Sequence, residues 1–132
     1  MQHRRVFVNG TFDILHAGHI MLLNFAQQLG HTVTVAIDSD QRVQQIKGAG
    51  RPVNSAWERR LLLCSLRSVD QVIEFDTDQE LLQLIPQFDI MVKGSDYINH
   101  SILGQGLIPI VFFQRIHDYS TTAKIQSITD RR

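Results

Sequence analysis

The fold class this sequence predicts is α/β: one doubly wound, five-stranded parallel sheet in a single domain spanning residues 1–132. Three observations lead there. Short runs rich in Val, Ile and Phe alternate with longer segments of helical period along the whole chain. No Pro/Gly/Ser-rich linker or internal repeat breaks the alternation, so one domain is expected. A hydrophobic content of 43% over 132 residues supplies enough apolar surface for one real core.

Residues 6–8 read as the first strand, and 32–37, 69–75, 89–93 and 108–113 as the other four. Each is an apolar run of the kind a parallel sheet buries on both faces. After the first strand, residues 19–29 carry helical spacing and close on Gly30 as a C-cap. Residues 55–67 form the next helix, because Ser55 as N-cap followed by Glu58 has capping-box spacing. Residues 78–84 and 121–128 are shorter helices introduced by Thr77 and Ser120. In such sheets ligands bind beyond the carboxyl ends of the strands, so the loops following the strands are where chemistry is expected.

Composition excludes several function classes. The 13 basic and 13 acidic side chains cancel, leaving no long-range field for a polyanion, and a nucleic-acid partner is not expected. The single cysteine, Cys64, forms no internal disulfide, which fits a reducing compartment. The opening MQHRRVFVNG has no signal-peptide core, and the apolar runs fall far short of the roughly 20 residues that span a bilayer. A cytoplasmic protein with no membrane partner is expected.

The segment Asn9-Gly10-Thr11-Phe12-Asp13-Ile14-Leu15-His16-Ala17-Gly18-His19 joins a strand to a helix through a loop with two histidines three positions apart. A helix N-terminus offers N–H groups and a positive dipole end, and Gly10 and Gly18 let backbone approach an anion closely. The imidazoles can donate to phosphoryl oxygens. The same spacing also fits a surface turn with two incidental histidines, or half of a zinc site. Against zinc, the only cysteine falls on a predicted helix and no further His/Asp cluster completes four ligands, so no protein-held metal is expected. A dinucleotide fingerprint is excluded, since G-x-G-x-x-G is absent. Near the other end, Arg115 stands five residues before Ser120-Thr121-Thr122, where hydroxyls and a helix start make a second anion cradle. A plain N-cap explains Ser120 but leaves Arg115 without a reason.

GTFDILHAGH closely resembles the N-terminal signature of the cytidylyltransferase-like nucleotidyltransferases, with their HxGH motif. AIDSD at 36–40, IKGAGRPVN at 46–54, ERR at 58–60, VKGSDY at 92–97 and YSTTAKI at 119–125 are similar to later blocks of that family, in order. The resemblance therefore covers almost the whole chain. It implies the Rossmann-like HxGH nucleotidyltransferase fold and transfer of a nucleoside monophosphate from an NTP to a phosphorylated small molecule. Such a reaction needs cations and donors placed around the α-phosphate. It needs no protein nucleophile or base, because the incoming phosphomonoester, with a second pKa of about 6, is already an oxyanion.

By the same resemblance, His16 and His19 hydrogen-bond the NTP phosphates, while Gly10, Thr11 and Phe12 contribute loop contacts. Lys47, in the polar Gly-containing stretch after the second strand, is similar to the family's catalytic lysine. Arg51 in that stretch reads as a solvated loop cation. Arg59 matches an arginine that faces the site, with Arg60 toward solvent. Gly94, Asp96 and Tyr97 stand where the family recognises base and ribose. Arg115, Ser120, Thr121 and Thr122 correspond to nucleotide-binding positions.

Two subfamilies are resembled at once. IKGAGRPVN and VKGSDY are similar to the heptose-1-phosphate adenylyltransferase domain, whereas Arg115 at its distance before STT is similar to the glycerol-3-phosphate cytidylyltransferases. Chain length leans to the second, so CTP with a polyol phosphate such as glycerol-3-phosphate is expected, and ATP with heptose-1-phosphate is the alternative. HDYSTT departs from both groups in lacking a glycine before the serine. The resemblance further implies Mg²⁺ with the triphosphate and a homodimer. Readings from other classes are a flavodoxin-like or receiver-type module, which has no need of HAGH, Lys47 and STT together, and a non-catalytic nucleotide-binding module, which loses its histidines or lysine.

Overall fold

The computed structural model describes residues 3–114 and 121–131. Strands β1 (Arg5–Gly10), β2 (Thr32–Asp38), β3 (Gln71–Phe75), β4 (Ile90–Gly94) and β5 (Ile110–Phe113) form one parallel sheet in the order β3-β2-β1-β4-β5. Around it lie α1 (Ala17–Leu29), α2 (Asp40–Lys47), α3 (Ala56–Cys64), α4 (Asp78–Leu84) and α5 (Thr121–Asp130). The five-stranded α/β architecture expected from the sequence is the one found.

Strand alternation divides the core between the two faces of the sheet. Val6, Val8, Val35, Ile37 and Val92 pack with Leu23 and Ala26 of α1 and Leu63 of α3. Phe7, Ala36 and Met91 point the other way, against Leu81 of α4 and Ile85 and Phe88 beyond it. Each such side chain contributes roughly 1.5–3 kcal/mol when fully buried. Because both faces are covered, residues 33–37 of β2 are buried without interruption. Gly30 ends α1 where a Cβ would meet Val6 Cγ2 at 2.7 Å and the Arg4 carbonyl oxygen at 2.8 Å, so close chain approach requires glycine there.

The topology locates the ligand crevice. The chain winds outward from β1 to β2 and β3, then returns to lay β4 on the other side of β1. Right-handed crossovers put the helices before and after that reversal on opposite faces, so the carboxyl ends of β1 and β4 flank an open switch point. Among the described residues no helix is long and apolar enough to cross a membrane.

Element boundaries differ from expectation in three informative places. Helix α1 starts at Ala17 instead of 19, because His16 itself is its N-cap. Helix α3 stops at Cys64, where the Ser65 N–H turns back to the Leu62 carbonyl, well before the expected end at 67. Helix α2 was not anticipated: its sequence DQRVQQIK buries only Val43, too little for an apolar period to register. Its signals were local, with Ser39 Oγ accepting from the Arg42 N–H at 3.1 Å and Asp40 in the first turn. Lys47 therefore belongs to a last helical turn and not to a flexible loop, with the glycine stretch starting at Gly48.

Candidate active site at the switch point

A pocket of about 480 Å³ opens at the carboxyl edge of the sheet, a volume in the range of small-ligand sites. Gly10, Thr11, Phe12, His16 and His19 line it from the loop after β1 and the start of α1. Lys47 stands at its rim on α2. Gly94, Asp96 and Tyr97 come from the end of β4 and the turn beyond, and Thr121 and Thr122 from the start of α5. Arg115 and Ser120 lie outside the described residues.

The two histidines are built into the helix start. His16 Nδ1 accepts from the Gly18 N–H at 3.1 Å, and His19 Nδ1 accepts from the His16 N–H at 3.3 Å, a capping box made of imidazoles. Their rings stack with centroids 3.7 Å apart, and Phe12 packs on His19 at 5.1 Å. An imidazole whose Nδ1 accepts carries its hydrogen on Nε2 when neutral. With both Nδ1 atoms and the Gly18 N–H engaged in the cap, the hydrogen of each neutral ring sits on Nε2, beside the positive end of the helix dipole.

The loop before them is held in an uncommon shape. Phe12 and Ile14 have φ of 53° and 49°. Left-handed backbone costs of order 1–3 kcal/mol at such residues and persists only where surroundings over-determine it. Asp13, between them and 1% exposed, supplies that determination. Its carboxylate accepts from the Val53 and Asn54 N–H groups at 2.7 and 2.8 Å, and its backbone carbonyl accepts from the Thr121 hydroxyl. Asp13 was not singled out from sequence, although its place inside GTFD was the available signal. Arg51, read as a solvated loop cation, is mostly buried beside Asp13, with Nε 3.5 Å from the carboxylate. Its Nε and Nη2 are enclosed without a hydrogen-bond partner among the described residues.

Arg59 was expected to face the site, and it does not line the pocket. It is fully buried, with Nε donating to the Asn54 carbonyl, Nη1 to the Thr11 and Asp38 carbonyls, and Nη2 to Asp40 Oδ1, all at 2.8–2.9 Å. A guanidinium with its donors so engaged ties the loop after β1, the end of β2 and the starts of α2 and α3 into one frame. Arg60 beside it is exposed, as expected.

The pocket holds a cation that the sequence alone does not mark. Lys93, at the end of β4, lines the same cavity with its ammonium 5.1 Å from the centre of the Tyr97 ring. Burial lowers its pKa to about 8, against the opposing pull of Asp38 and Asp96. Asp38 also lines the pocket, but its carboxylate is already engaged by Arg42 Nε at 2.8 Å and by the Thr11 hydroxyl at 3.2 Å. Lys47 has its pKa lowered too, first by desolvation and then by the charge of Arg51.

The cytidylyltransferase-like family profile matches residues 7–126, and the chain belongs to that family. It is 40% identical over 130 residues to the bifunctional protein HldE of Helicobacter hepaticus, an alignment covering 96% of this chain and 27% of that protein. It is 48% identical over 109 residues to the bifunctional protein HldE of Psychromonas ingrahamii, covering 78% and 22%. The chain thus spans about a quarter of the length of the curated relatives it matches. The crystal structure of the lipopolysaccharide core biosynthesis protein from Thermoplasma volcanium superimposes with a TM-score of 0.72 at 24% identity, over 87% of this chain and 99% of that one. This last likeness is one of fold.

Proposed function

We propose that this domain is an enzyme that transfers AMP from ATP to a sugar 1-phosphate, with heptose 1-phosphate as the acceptor. An acceptor phosphate oxygen attacks the α-phosphorus, the bond from it to the bridging oxygen of the β-phosphate breaks, and pyrophosphate leaves. The observation that carries the reading is the imidazole capping box at the start of α1, which sets His16 and His19 side by side in one pocket with Lys47 and Thr121. Donors fixed in advance around developing phosphoryl charge are what this transfer demands of a protein. Mg²⁺ would enter as part of the nucleotide substrate, held by its phosphate oxygens.

Identity to the HldE proteins supports ATP and heptose over the expected CTP and glycerol-3-phosphate. So do the blocks IKGAGRPVN and VKGSDY, which resemble the heptose-1-phosphate adenylyltransferase domain. The CTP reading rested on Arg115 and on chain length, and length carries little weight once the matched relatives prove several times longer. CTP with glycerol-3-phosphate stays the second reading, carried by Arg115. Pyrophosphate release with four NTPs against heptose 1-phosphate and glycerol-3-phosphate tests both. We expect ATP with heptose 1-phosphate to exceed CTP with glycerol-3-phosphate by at least about a hundredfold in kcat/KM, roughly 2.7 kcal/mol of transition-state preference. The reverse order would install the second reading, and no release with any pair would leave a nucleotide-binding module.

A further inference from the structure

We propose that Lys93 is the acceptor-phosphate site, taking the phosphate of the incoming sugar on the side of the sheet edge opposite α1. The proposal rests on the nucleotidyltransferase reading and adds to it a specificity residue and a direction of approach. Val92 packs in the core under α1 and α3, whereas Met91 packs in the core under α4. Alternation along β4 then sends Lys93 to the α4 side, away from the histidines. Asp38, next to Ile37 of the α1 core, projects the same way, and both line the pocket.

In-line transfer requires attacking and leaving oxygens on opposite sides of the α-phosphorus. The nucleotidyltransferase reading puts the leaving pyrophosphate with His16 and His19 on the α1 side, which leaves the opposite wall for the nucleophile. On that wall the cation is Lys93. Among the described residues it makes no salt bridge, and the neighbouring Asp38 carboxylate is engaged by Arg42 and Thr11. A partly desolvated ammonium that Asp38 and Asp96 attract without forming a salt bridge is costly, and a phosphate dianion is the ligand that would offset that cost.

The groups that face Lys93 are Asp38 from β2, Asp96 and Tyr97 from the turn after β4, and, across the pocket, His16, His19 and Lys47. With the lysine titrating at about 8, it is charged below that pH and neutral above it, so acceptor binding weakens as pH rises through this range.

The test is calorimetric titration of heptose 1-phosphate into the protein saturated with α,β-methylene-ATP, comparing wild type, Lys93→Met and Lys93→Arg. We expect Lys93→Met to weaken acceptor binding about tenfold to a hundredfold, the range for a charged hydrogen bond, with affinity for the nucleotide analogue almost unchanged. Lys93→Arg should recover much of the loss and stay flat across pH 7–9, because a guanidinium keeps its charge there. Unchanged acceptor affinity in Lys93→Met would overturn the proposal. So would an equal loss of nucleotide affinity, or a wild type that binds neither heptose 1-phosphate in this complex nor glycerol-3-phosphate in the complex with α,β-methylene-CTP. Failure of the transferase reading would show differently, as intact binding without pyrophosphate release.

Discussion

A neutral imidazole has one donor and one acceptor nitrogen, and at His16 and His19 the helix cap decides which is which. Both Nδ1 atoms accept backbone N–H groups, so both Nε2 atoms are donors before any ligand arrives. Orientation settled in the free protein requires no reorganisation at the moment of reaction, which is where such donors contribute most. His16→Ala and His19→Ala should therefore each lower kcat at least about a hundredfold with a modest change in KM for NTP. Capping and catalysis can be separated at His16. Asparagine is a good N-cap, so His16→Asn should keep stability within about 0.5 kcal/mol in urea melts while remaining slow, whereas His16→Ala should lose about 1 kcal/mol as well. Near-normal turnover in either alanine variant would remove the histidines from the chemistry.

Among the elements, the junction of β2, α2 and α3 shows what sequence spacing reveals and what it hides. Ser55 and Glu58 announced α3, because a capping box is local and the residues that make it are three apart. Helix α2 had only its Ser39 N-cap and Asp40 as local signals, with no apolar period behind them, since it buries one valine and is otherwise tied to distant residues, such as Asp76, to which Ser39 Oγ donates at 2.6 Å. The early position of Arg59 in α3 was legible, but its direction was not. Its acceptors at Thr11, Asp38 and Asp40 lie 48, 21 and 19 positions away and meet only in the folded chain. Lys93 is hidden for a related reason, since a lysine at a strand end looks the same in sequence whether it faces solvent or a cavity. The buried frame around Arg59 predicts a structural phenotype. Arg59→Ala should cost about 3–5 kcal/mol in denaturant unfolding, by removing a buried cation and stranding the carbonyls it serves. A variant that folds with wild-type stability and loses only kcat would instead give Arg59 a direct part in the site.

At the scale of the whole molecule, the sheet was legible because its strands read as apolar runs, most plainly the interior β2, buried from 33 to 37, and the location of the pocket followed from topology. The HxGH loop and the STT segment could be paired only through family resemblance, since no local pattern links residues 108 positions apart. In the structure the Thr121 hydroxyl bonds to the Asp13 carbonyl, bringing α5 against the loop after β1. A nucleotide that fills the pocket touches both ends of the chain, and so it binds the folded state and not the unfolded one. Linkage then gives about 2.7 kcal/mol of added stability at a hundred times the dissociation constant. For a domain of this size that is a rise in Tm on the order of 10 °C. ATP should produce this shift at a lower concentration than CTP. His19→Ala should keep most of it, because the histidine donors act chiefly on the transition state. A larger shift with CTP would favour the cytidylyl reading, and its loss in His19→Ala would make the histidine a ground-state contact. No shift with any nucleotide would remove the nucleotide from this pocket.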